Sequence, residues 1–114
     1  MTNGSVHFCN DDGTTEAIIY IHGDSYPEGL GKDLDTFLKK VQKNVPDNRF
    51  NCPSYLAAKF VVWQAKDLSK KKHYLDFLSL GIMAQDAGDI SYRYKVIANK
   101  IGGKALPKIV VEKV

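Results

Sequence analysis

Glu16-Ala17-Ile18-Ile19-Tyr20-Ile21-His22-Gly23-Asp24-Ser25-Tyr26-Pro27-Glu28-Gly29-Leu30-Gly31 is the stretch on which the fold turns. Its first part, Glu16 to His22, is β-branched and aromatic on both faces, the pattern of a strand lying centrally in a sheet. Gly23 to Gly31 holds three glycines and a proline, so the strand stops there. Leu30, Leu34, Phe37, Leu38 and Val41 then recur at i, i+4, i+7, i+8 and i+11, one apolar stripe of an amphipathic helix. Lys32, Lys39, Lys40 and Lys43 lie off that stripe. A strand therefore hands over to a helix through a glycine-rich loop.

Upstream, Ser5 to Asn10 reads as a short strand with Val6 and Phe8 on one face. Asp11-Asp12-Gly13 is a turn that joins it to Glu16–His22 as a hairpin. Downstream, Asn44-Val45-Pro46-Asp47-Asn48 ends the first helix. A second helix begins near Asn51 to Pro53, where a polar cap is followed by proline. Tyr55 to Leu68 is apolar on most sides, which predicts a largely buried helix. Ser69 to His73 is a basic, exposed connection. The last third reads as a three-stranded meander: Leu75 to Gln85, a hairpin loop at Asp86-Ala87-Gly88-Asp89, then Ile90 to Ala98. That second strand alternates Ile90, Tyr92, Tyr94 and Val96 against Ser91, Arg93 and Lys95. A turn over Asn99 to Lys104, with Gly102-Gly103, leads to a closing strand at Lys108 to Val114, with Pro107 at its start. The order β-β-α-α-β-β-β predicts an α+β fold: a five-stranded, mainly antiparallel sheet with two helices packed on one face.

The 114 residues fit a single domain, 1–114, with one core. A hydrophobic share of 44% and a charged share of 25% exclude disordered and fibrous classes. The net charge of +3 is unevenly spread, with the excess of bases confined to residues 58–114. Met1 to Ser5 lacks the basic start and apolar run of a signal peptide, and no stretch approaches a membrane span. Cys9 and Cys52 belong to no C-x-x-C pair and read as small buried hydrophobes. The expected address is the cytoplasm.

Chemistry points to the loop after the strand. A helix N-terminus there offers free N–H groups and a positive dipole end to an anion. Gly29 and Gly31 would let a ligand approach the backbone closely. His22 shares a strand face with Tyr20 and Ile18, opposite Ile19 and Ile21. His22 and Asp24 have the types of a general base and its orienting acid. The plainer alternative is that both hydrogen-bond the loop and cap the helix. Ser25, His22 and Asp24 lie within four residues, a spacing that rarely aims a triad at one point. A metal site from His22, Asp24 and Asp89 requires convergence that spacing alone does not supply. Tyr26 can stack on a nucleobase, with Arg93 meeting a phosphate; Tyr92 and Tyr94, by parity, face away from Arg93 and Lys95 and read as core. Lys70-Lys71-Lys72-His73 is a short basic run, better explained as a solvated loop than as a nucleic-acid footprint.

The motif Tyr20-x-His22-x-Asp24-x-Tyr26-Pro27-x-Gly29 resembles a signature of small phage and prophage proteins. These also share a leading helix and a later Gly-Asp-Ile-x-Tyr strand, here Gly88-Asp89-Ile90-Ser91-Tyr92. The second motif in that family reads His-Gly-Asp-Ile-Glu-Tyr, so Ala87 and Ser91 depart from it. The resemblance implies a viral accessory protein acting in the host cell cytoplasm, and it brings no established activity with it. The resulting expectation is a non-enzymatic, counter-defence protein that sequesters a small anionic, nucleotide-like ligand. Its ligand-binding residues would be His22, Asp24, Tyr26, Gly29, Gly31, Asp89 and Arg93, with no catalytic residue, no cofactor and no metal. The alternatives are an inhibitor that docks on a host defence protein through an edge strand or the lysine run, and a small hydrolase using His22 and Asp24. A homo-oligomer fits either binding role. A membrane or nucleic-acid partner is not expected.

Overall fold

A computed structural model describes residues 1–44, 51–100 and 104–114. Its strands are β1 (Gly4–Cys9), β2 (Thr15–Ile21), β3 (Leu80–Met83), β4 (Tyr92–Ile97) and β5 (Lys108–Lys113). Its helices are α1 (Lys32–Asn44) and α2 (Pro53–Gln64). A wide π-type turn, Pro27–Gly31, leads into α1, and two 3-10 turns, Leu68–Lys70 and Tyr74–Phe77, separate α2 from β3. The architecture is α+β, as the sequence predicts.

The strands form one sheet in the order β3-β2-β1-β4-β5. β1 and β2 make the expected hairpin, with Val6 opposite Ile19 and Gly13 taking up a left-handed φ of 87° in the turn. All neighbours run antiparallel except β1 and β4, which are parallel, with Val6 opposite Tyr94. The sheet is thus mixed. β2 is interior but β1 is its centre. One face carries Val6, Phe8, Ile19, Tyr94 and Val96. Leu34, Phe37 and Leu38 of α1 and Leu56, Ala57 and Phe60 of α2 close over it as a single core. Phe60 packs edge-on to Phe37 at a centroid distance of 5.2 Å.

Four expectations need correction. Leu75–Gln85 is not one strand: Tyr74–Phe77 curls into a 3-10 turn and only Leu80–Met83 pairs with β2. Asp86–Asp89 is not a hairpin loop, because β3 and β4 lie on opposite sides of the β1–β2 pair. The segment between them crosses the second face of the sheet. Its carboxylates bond to side chains of that face: Asp86 to His7 at 2.7 Å and to Arg93 at 2.7 Å, Asp89 to Tyr20 at 3.0 Å. α2 ends at Gln64, and although Pro53, Leu56, Ala57 and Phe60 are buried, Val62 is 72% exposed. An apolar composition on every side has no stripe, so it marks a helix without saying which face is covered. Cys9 is a buried free thiol as expected, whereas Cys52, the α2 cap residue, is half-buried. The loop expected over Val45–Asn48 and the Gly102-Gly103 turn lie outside the described residues.

Candidate functional site

The loop after β2 is held by the first residues of the chain. Gly23 N–H donates to Asn3 Oδ1 at 2.9 Å, and Ser25 N–H donates to the Thr2 carbonyl at 3.1 Å. Ser25 is fully buried, and its hydroxyl donates back to the carbonyls of Ile21 and Gly23. Tyr94 Oη donates to the Ser25 carbonyl at 2.6 Å. Burial pushes the Tyr94 phenol up to about 12, with Tyr92 and Glu28 adding to the effect. Tyr94 is therefore a neutral donor locked to the loop. Ser25 is unavailable as a nucleophile, which removes the triad arrangement.

Asp24 sits at φ 51°, a left-handed conformation that Asp and Asn tolerate better than other side chains. Its carbonyl is turned inward to accept from Leu30 N–H at 3.2 Å. A Cβ at Gly29 would lie 2.6 Å from that carbonyl oxygen, so the position requires glycine. Gly31 lies against the Tyr94 ring. The two glycines are thus used for close packing inside the protein. The N–H of Gly29 is taken by the Tyr26 carbonyl, and Glu28, Asp33 and Asp35 crowd the start of the helical segment. Those carboxylates oppose an anion there, so the phosphate cradle expected at this helix start is not formed.

What the loop does form is a cleft of about 300 Å³. It is lined by Ile21, His22, Gly23 and Asp24 at and just beyond the end of β2, Leu30 and Asp33 around the start of α1, Gln64 and Leu68 at and beyond the end of α2, and Phe77, Leu78, Ser79 and Leu80 leading into β3. That volume is at the lower end for small-ligand pockets, about 300–1,000 Å³. His22 sits at its lip, with Nδ1 3.4 Å from Tyr20 Oη, which itself donates to Asp89. Burial and the Asp89 carboxylate both raise the Tyr20 phenol above its ordinary range. The basic run reaches the same place: Lys71 Nζ lies 5.0 Å from the centre of the Phe77 ring, a cation–π contact on the cleft wall.

The structure therefore brings together His22 and Asp24, and puts Asp89 behind His22 through Tyr20. It does not bring the rest. Tyr26 is half-exposed outside the cleft lining. Arg93 lies on the second face of the sheet, held by Asp86 and by Glu112 at 2.9 Å, and both carboxylates raise its pKa. His22, Asp24 and Asp89 do not converge. Among the described residues no group of three or more His, Cys, Asp or Glu is placed to hold a metal ion. No helix among them is long and apolar enough to cross a membrane. Sequence reading missed Asp33, Gln64 and the Phe77–Leu80 wall. Asp33 was within reach, two residues beyond the loop; the wall was not, because its segment reads as strand.

A second hollow of about 600 Å³ separates α1 from α2, walled by Phe37, Val41, Val62 and Trp63 and edged by Lys40, Lys59 and Lys66. None of the candidate ligand-binding residues His22, Asp24, Tyr26, Gly29, Gly31, Asp89 and Arg93 lines it. Set against known proteins, the chain matches no family model, no curated protein and no solved structure.

Proposed function

We propose that the chain is a non-catalytic binding protein that holds and withholds a nucleotide-type ligand in the His22 cleft. One observation carries this reading: Lys71 lies over Phe77 on the wall of the cleft that His22 and Asp24 open. A base entering there meets acceptors at Asp24 and Asp33 for its ring and exocyclic N–H groups, and an aromatic face at Phe77. Its phosphate end then points away from the two carboxylates and meets Lys71 with its neighbours Lys70 and Lys72. Carboxylates at Asp24 and Asp33 and a cation at Lys71, beside the lining residue Phe77, suit a ligand with a donor-rich base and an anionic tail. The burial of Ser25 favours holding over hydrolysis. The resemblance of the loop to phage and prophage accessory proteins is in keeping with removal of a signalling nucleotide in an infected cell.

The test is calorimetric titration with ATP, GTP and cyclic mono- and dinucleotides, followed by recovery of the bound nucleotide after heat denaturation. At least one nucleotide binds stoichiometrically and is recovered intact. Asp24→Asn, which keeps the left-handed backbone, and Lys71→Ala each weaken it about tenfold or more, the loss of one charge-assisted contact. No binding across the panel, or binding that both variants leave unchanged, refutes the reading. Recovery of a new product replaces it with the hydrolase.

A further inference from the structure

The two edges of the sheet are built differently. β5, at one edge, carries Lys108, Glu112 and Lys113. Charge of that kind is how sheet edges avoid pairing with other chains. β3, at the other edge, reads Leu80-Gly81-Ile82-Met83 and has no charge at all. Among the described residues it pairs only with β2. Ile82 is 77% exposed on it, and Leu75 and Phe77 just before it are also exposed.

The hydrogen-bond pattern says which backbone groups are unused. His22 N–H donates to the Ser79 carbonyl, and Tyr20 and Ile18 lie opposite Gly81 and Met83. Alternation in an antiparallel ladder then turns Ser79, Gly81 and Met83 toward β2, and turns Leu80 and Ile82 outward. These two residues are symmetric about Gly81. A second β3 strand laid antiparallel on this edge, with Gly81 opposite Gly81, sets Leu80 opposite Ile82 and Ile82 opposite Leu80. Each such pair exchanges both of its backbone bonds, and the apolar side chains of Leu80 and Ile82 meet on one face. No register shifted by one residue uses all the outward groups.

Gly81 supplies a separate observation. A Cβ built at this position has nothing within 4 Å, so no contact among the described residues accounts for a glycine in the strand. Glycine in a strand interior often marks the close approach of another backbone. In the register above, Gly81 forms the non-hydrogen-bonded pair, whose Cα atoms are only about 4.5 Å apart.

We propose that the β3 edge is the interface of a symmetric homodimer, in which two copies pair their β3 strands antiparallel about Gly81 to make one continuous sheet. A two-fold axis through Gly81 satisfies the requirement that such an interface be self-complementary. The proposal is independent of the ligand assigned to the His22 cleft.

Sedimentation velocity of the full chain without nucleotide gives twice the monomer mass at tens of micromolar, on this proposal. Ile82→Lys, at an exposed position, sediments as a monomer at the same concentrations with unchanged circular dichroism. Gly81→Cys forms a covalent dimer under mild oxidation, since that Cα separation lies within the range of about 4.4–6.8 Å for disulfides, whereas the wild type with Cys9 and Cys52 does not. A monomer at every concentration overturns the proposal, and so does an Ile82→Lys variant that remains dimeric. A dimer that Gly81→Cys fails to cross-link moves the interface elsewhere and equally overturns it.

Discussion

Asp86 shows how one side chain ties distant parts of the chain together. Burial opposes its ionisation, but hydrogen bonds from His7 and Arg93, with the Ser5 hydroxyl close by, outweigh that and hold the carboxyl at about 2. The Ser5 hydroxyl is itself buried without a hydrogen bond of good geometry, so His7 and Arg93 carry the effect. A carboxyl whose folded pKa lies below its ordinary 3.8 stabilises the fold once ionised. That contribution is fully present above about pH 4 and is lost as pH falls toward 2. Allowing for solvent screening at this partly exposed group, it amounts to about 1–2 kcal/mol. Urea unfolding from pH 7 to pH 2 should show wild-type stability declining below pH 4. Asp86→Asn should be weaker by that amount at pH 7, with a flatter acid limb. An unchanged limb would show that the cross-face bonds do not contribute. The Asp-Ala-Gly-Asp composition has the look of a turn, yet both carboxylates find tertiary partners. A local pattern therefore predicts a hairpin at these residues where tertiary bonds make a crossing segment.

At the level of elements, α2 separates what composition says from what packing decides. Phe60 touches the rings of Phe8, Phe37 and Trp63, while Val62 two residues later faces outward. Phe60→Ala should cost about 3–5 kcal/mol, and Val62→Lys should stay within about 0.5 kcal/mol, both read from chemical denaturation. Equal losses at the two positions would mean that the helix is covered on both sides. α1, β1, β2 and β4 were legible because each buries one face and leaves a period of 3.6 or 2 in the sequence. β3 was not, because four residues at an edge, preceded by the apolar Leu75, Phe77 and Leu78, give no period to count. Half of the candidate site shared that fate. His22 and Asp24 are visible as polar residues at a strand-to-helix junction. Phe77 and Lys71 reach them only after β3 docks beside β2.

For the whole molecule, the decisive contact is the parallel pairing of β1 with β4, which no local pattern encodes. It puts β1 at the centre of the sheet, two strands from either edge, with the core on one face and Asp86 bonded to its His7 on the other. Its amides should therefore exchange with solvent only through global unfolding, more slowly than those of β5. Hydrogen exchange followed by NMR tests this, and β1 amides exchanging as fast as β5 amides would contradict it.

The same pairing has a consequence for how the chain is made. Gly4 takes Tyr92 as its neighbour. At about 5–20 residues per second, β4 leaves the ribosome roughly 4 to 18 s after β1. Throughout that interval the first hairpin can form, but the future centre of the sheet stands as an open edge, with Val6 and Phe8 uncovered until the helices arrive. The nascent chain is most exposed to mispairing at the strand that is best protected in the finished protein, so the need for a chaperone is set by the order of synthesis and not by final stability.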